Sequence, residues 1–105
     1  MKAAYKDFQS FPQAVQEQMK FALQIACEGQ KADIAKPLKG FDGGVYEIAL
    51  PHRGDAFRAV YAVKLGDDLW IVHAFQKKST QGIKTPMRDI DLICDHIKRL
   101  KEILR

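Results

Sequence analysis

The stretch FRAVYAVKLGDDLWIVHAFQK, residues 57–77, decides the fold. It is rich in β-branched and aromatic residues, the composition of half-buried strands. Gly66-Asp67-Asp68 breaks it as a tight turn, so Phe57–Leu65 and Leu69–Lys77 read as the arms of an antiparallel hairpin. Upstream, the Gly-rich run Lys39–Gly44 reads as a turn into a further strand, Val45–Leu50, closed by Pro51. Downstream, Lys78–Lys84 is a polar loop. Thr85 is a good helix N-cap, and Pro86 suits the first helical position. Ile90, Ile93, Ile97, Leu100 and Leu104 then mark one stripe of a C-terminal helix.

The N-terminal part has a different period. Phe11, Val15, Met19, Ala22, Leu23 and Ala26 recur at helical spacing, which predicts an amphipathic helix over Ser10–Glu28. Ser10 with Gln13 reads as its capping box, Pro12 lies in its first turn, and Gly29 is its stop. Ala32–Leu38 reads as a short helix limited by Pro37, and residues 2–7 as a short extra strand. Helices, then a strand meander, then a helix predict one α+β domain over residues 1–105, with N-terminal helices packed on a small antiparallel sheet and a C-terminal helix.

Composition bounds the function. No apolar run approaches the roughly 20 residues that span a bilayer, and the N-terminus lacks the apolar core of a secretory signal. The expected location is the cytoplasm, with no membrane partner. Cys27 and Cys94 match no metal-ligand spacing and read as free thiols. The net charge of +4 is one-sided: residues 1–52 carry six basic and six acidic side chains, residues 53–105 eleven and seven. A basic excess confined to one half points to a polyanionic partner, most simply nucleic acid.

Strand alternation sorts the candidate residues. Arg58, Val60, Ala62 and Lys64 share one face of their strand; Ile71, His73, Phe75 and Lys77 share one face of theirs. An antiparallel hairpin brings Arg58 near Lys77 and Lys78, with Arg53 in the preceding loop and Lys84 and Arg88 further on. Clustered cations suit a phosphodiester, whose cleavage passes through a more negative state. Arginine clamps phosphate and lysine supplies a compact charge. RNA cleavage needs no metal, because the 2′-hydroxyl can attack the adjacent phosphate if protons are shuttled, by histidine or by a lysine depressed by neighbouring cations. The candidate catalytic residues are Arg58, Lys77, Lys78 and His73, the last of which reads equally as a buried strand histidine bonded to backbone, and the candidate RNA contacts are Arg53, Lys64, Lys84 and Arg88. His52 and His96 read as exposed, Glu47 as a strand carboxylate without a partner, and Tyr46, Tyr61 and Trp70 as core. There is no phosphate-binding glycine loop, Cys/His cluster or nucleophile elbow, so no cofactor or metal is expected.

The sequence also resembles a known family. Leu38-Lys39-Gly40 leading to Val45-Tyr46-Glu47-Ile48, Phe57-Arg58 with Tyr61, His73-Ala74-Phe75-Gln76-Lys77-Lys78 and Thr85-Pro86 look like the phage-derived, HigB-like branch of the RelE/HigB toxin superfamily. The resemblance spans roughly residues 10–100. It implies a type II toxin–antitoxin toxin that acts as an endoribonuclease on messenger RNA, free or on the ribosome, without metal. It places phosphate contacts on Arg58, Lys77 and Lys78, and less securely on Arg53, His73 and Lys84. It further implies a cognate helix-turn-helix antitoxin, through which alone the toxin would meet operator DNA. The same fold hosts toxins that bind DNA gyrase, and inactive phage remnants that bind RNA or an antitoxin without cutting.

Overall fold

In a computed structural model, which describes residues 2–38, 41, 44–65, 68–77 and 87–103, the chain is α+β. The order is α1 (Lys2–Gln9), α2 (Gln13–Cys27), β1 (Ala35–Pro37), β2 (Val45–His52), β3 (Asp55–Leu65), β4 (Asp68–Lys77) and α3 (Met87–Ile103). The strands form one antiparallel sheet in the order β1-β2-β3-β4. The helices cover both faces. Under α1 and α2 lies a core of Phe8, Phe11, Met19, Ile48, Phe57 and Tyr61. Under α3 lies a second, built from Val45, Val60, Ala62 and Val72 against Ile93, Ile97 and Leu100.

Two N-terminal expectations are corrected. Residues 2–7 belong to a helix, not a strand. Tyr5, Phe8 and Phe11 follow one another at intervals of three, the first two rings stacked at 6.4 Å and the second pair tilted at 5.9 Å. That spacing suits a helix that buries Phe8 on the sheet. In consequence Ser10 does not cap α2. Its hydroxyl donates to the Asp7 carbonyl at 2.6 Å and finishes α1, while Pro12 stands at the α2 N-cap. Gln16 fills the gap by donating to the carbonyls of Gln9 and Phe11. At the other end, Gly29 (φ 86°) donates to the Ala26 carbonyl and Gln30 to that of Ile25, the Schellman pattern.

The short helix expected over Ala32–Leu38 is instead β1, paired with β2 through Ala35↔Ile48 and Pro37↔Tyr46. A residue before proline is pushed out of the α region, which makes Lys36 extended, and the edge of β2 offers a ladder to join. β2 also runs two residues beyond Leu50. By Pro51 it has passed the end of β1 and is an edge strand, where proline is tolerated. The positions 39–40, 42–43 and 66–67 of the expected turns, the polar loop expected over 78–84, the helix start expected at Thr85-Pro86, and Leu104 at the end of the expected stripe lie outside the described residues. Within α3, Ile93, Ile97 and Leu100 are buried as the stripe requires, joined by Asp89.

Candidate functional site

The site follows from a ladder irregularity. β3 and β4 pair as Val60↔His73 and then Tyr61↔Ile71, so Val72 is an extra residue on β4. A β-bulge of this kind turns two successive side chains toward the same side. Val72 packs under α3 and His73 reaches α3 as well. Ile71 packs on the opposite core. The strict alternation expected for Ile71, His73 and Phe75 therefore fails at the bulge: Trp70, Val72 and His73 face α3, and Ile71 and Ala74 face α1 and α2.

On the α3 side, the register sets Glu47 beside Val60 and Val60 beside His73, with Arg58 one step along between Ala49 and Phe75. Glu47 and His73 thus flank Arg58 across three strands, their backbones roughly 10 Å apart at ~4.8 Å per strand. Arg58 Nη1 donates to Glu47 Oε1 at 2.6 Å, with both side chains only 12% exposed. Glu47 is therefore not the solitary carboxylate that the sequence suggested. His73 is buried, and its Nε2 donates to Asp89 Oδ1 at 2.8 Å, a bond reaching from the edge strand to the first turn of α3. The Phe75 ring stacks on His73 at 5.3 Å. His96, expected on the surface, is half-buried. Its Nδ1 donates to the Val72 carbonyl at the bulge, and its ring lies 5.7 Å from that of His73. His52 is half-buried against Phe57.

The other predicted residues divide. Arg53 occupies the β2–β3 turn at the same end of the sheet, closed by His52↔Asp55. Arg53 and Gly54 have φ of 52° and 87°, so an arginine stands where a tight hairpin favours asparagine. Left-handed backbone costs a non-glycine residue about 1–2 kcal/mol. The backbone of Lys77 pairs with Ala56, one ladder step beyond Arg58↔Phe75. Arg88 is exposed at the start of α3. Lys64 sits instead next to the β3–β4 turn, six residues along β3 from Arg58 and roughly 20 Å away. Lys78 and Lys84 lie outside the described residues. The basic end of the sheet is thus not bare cation. Arg58 has Glu47, and Gln76 donates to Asp55 at 2.7 Å beside Arg53.

Glu47 and Asp89 are the site residues that sequence reading missed. Period-2 spacing puts Glu47 on the Val45 face, but only the register shows it diagonal to Arg58. Asp89 resembled an ordinary first-turn acid. Among the described residues no group of three metal-ligating side chains occurs, and no helix is long and apolar enough to cross a membrane.

The family model described as "Phage derived protein Gp49-like" matches residues 6–98. This chain belongs to that family. The match takes in the first core, the second except Leu100, the bulge and every side chain of the Glu47, Arg58, His73 and Asp89 group. No curated protein and no solved structure matches the chain.

Proposed function

We propose that this Gp49-like protein is the toxin of a RelE/HigB-type toxin–antitoxin pair and cuts messenger RNA. The observation that carries the reading is the arrangement of Glu47, Arg58 and His73 on one sheet face, with His73 held by Asp89. Family membership supports it, since the chain's motifs resemble that toxin superfamily throughout the matched region.

The arrangement suits phosphodiester cleavage by the RNA's own 2′-hydroxyl. The Glu47 carboxylate accepts the 2′-proton as the O2′–P bond forms. The Arg58 guanidinium, which Glu47 orients, stabilises the charge gathering on the phosphoryl oxygens. His73 returns a proton to the departing O5′ as the P–O5′ bond breaks, and Asp89 fixes the ring and balances the imidazolium. The products are a 2′,3′-cyclic phosphate and a 5′-hydroxyl. Arg53 and Lys77 are the candidate contacts for flanking phosphates, with Lys78 and Lys84 as further ones, and Arg88 at the start of α3 is a candidate contact to the RNA beside the cleavage group. The strained Arg53 backbone fits a side chain retained for binding rather than for the turn. The expected partners are messenger RNA, on the ribosome or free, and a helix-turn-helix antitoxin that masks this end of the sheet.

The test is to add the purified chain to a translation extract programmed with a defined message. Fragments whose new 5′ ends can be phosphorylated by a kinase without prior phosphatase are expected, and should be missing with Glu47→Gln or His73→Gln. Fragments bearing 5′-phosphates would rule out this chemistry. An intact message would move the reading to a toxin that acts by binding, such as one directed at gyrase.

A further inference from the structure

A cleft of about 390 Å³ opens beside His73, between α1, the edge strand β4 and the start of α3. Its wall carries Phe75, His73 and Gln76 from β4, Asp7 from α1, and Arg88 and Asp89 from α3. Phe11 and Phe57, edge to face at 5.0 Å, also line it. Two things about it do not suit a phosphate. It is partly aromatic, and it holds carboxylates as well as a guanidinium. Both suit a nucleobase. Bases unstacked from single-stranded RNA settle on aromatic rings and are read along their edges by hydrogen bonds. Phe75 is half-buried with His73 against it, a firm stacking platform directly beside the cleavage group.

The polar groups narrow the choice of base. Asp7 is exposed on the α1 side, and its backbone is held by the Ser10 hydroxyl at 2.6 Å. Arg88 is exposed on the α3 side. Asp89 Oδ1 is held by His73, so the exposed charged groups that line the cleft are a carboxylate from α1, Asp7, and a guanidinium from α3, Arg88. A carboxylate takes two adjacent donors well, and guanine alone offers them side by side, at N1–H and the 2-amino group. A guanidinium pairs with the O6 and N7 acceptors on the other edge of the same base. Adenine puts an amino group where Arg88 needs an acceptor, and pyrimidines lack the N7 that would pair with Arg88 beside O6.

We propose that this cleft is a guanine subsite: Phe75 stacks the base, Asp7 reads N1 and the 2-amino group, and Arg88 reads O6 and N7. The inference rests on the reading of the chain as acting on RNA. Cleavage would then fall next to a guanosine.

The test separates binding from cutting. Amide resonances of residues 73–76 and 88–89 are followed while the folded chain is titrated to millimolar levels with 3′-GMP, 3′-IMP, 3′-AMP, 3′-CMP or 3′-UMP. GMP should bind at these amides about tenfold more tightly than AMP or either pyrimidine, one good bidentate contact being worth that much. IMP, without the 2-amino group, should fall between. Asp7→Asn, an exposed change that keeps the Ser10 bond to the backbone, should erase the preference for GMP over IMP. Equal binding of all five, shifts at other amides, or no shifts at all would overturn the subsite, even if the chain still cuts RNA in an extract. Selective GMP binding by a chain that cuts nothing would support the subsite and refute the nuclease.

Discussion

The two faces of the sheet are built from the same three long strands yet differ in kind. Beneath α1 and α2 the face is apolar along most of its length, from Leu50 and Phe57 through Ile48, Ala59 and Tyr61, with His52, Asp55 and Gln76 at its rim. Beneath α3 only one end is apolar, where Val45, Val60, Ala62 and Val72 meet Ile93, Ile97 and Leu100. The other end holds the Glu47–Arg58 and His73–Asp89 pairs, each largely removed from water. Replacing buried ion pairs with apolar side chains is often neutral or stabilising, so such pairs are weak evidence for stability. The contrast teaches that one face makes the fold, while half of the other holds buried charged pairs that the fold does not need and to which the proposed chemistry is assigned.

The sharpest way to break this contrast is His73→Gln, which removes the proposed proton donor but keeps a hydrogen-bonding side chain. Cleavage should fall about 10²–10⁴-fold, the usual contribution of a general acid or base. A fall under threefold, measured in the translation extract, would mean that the pair is merely structural. Next come the two apolar cores. Ile48→Ala and Ile93→Ala each empty a fully buried site, and each should cost about 2–5 kcal/mol in urea unfolding. If Ile93→Ala costs under about 1 kcal/mol, α3 is not docked as described and Asp89 loses its support.

Tyr61 offers a pH readout confined to the apolar face. Burial, and then the neighbouring Tyr46 ring stacked at 5.4 Å, raise its pKa above the ordinary 10.0. The folded chain therefore keeps this proton more firmly than the unfolded chain. The stabilisation is complete below pH 10.0 and is lost as pH rises beyond it. Tyr61→Phe should flatten the alkaline limb of a stability–pH curve, and an unchanged limb would place the loss elsewhere. The smallest effect is expected at the turn. Arg53→Asn should relieve the left-handed backbone and raise stability by about 0.5–1 kcal/mol while weakening RNA binding. Unchanged affinity would remove Arg53 from the RNA path.

Much of the fold was legible because it rests on periodicity. The α2 stripe from Val15 to Ala26, the β3–β4 hairpin and the α3 stripe from Ile93 to Leu100 stand where spacing put them, while Phe11 is buried ahead of α2. The errors lie where local signals competed. Ser10 caps α1 backwards rather than α2 forwards, and Ala35–Pro37 joined a sheet edge that no local pattern reveals. The site was legible only as residue types. Arg58 and His73 do share the α3 face, but their partners come from 11 and 16 residues away. A bulge at Val72, which resets which side chains face α3, has no signature in strand composition. Lys64 was drawn into the site by alternation alone, whereas the register carries it to the opposite end.

The most direct test of the central claim is transcript-end mapping in bacteria after brief induced expression of the chain, beside the His73→Gln variant. New ends inside coding regions, absent with the variant, are predicted, and their phase relative to codons would report whether cutting occurs on the ribosome. Intact transcripts in growth-arrested cells would contradict the account and point to a toxin that works by binding a protein target.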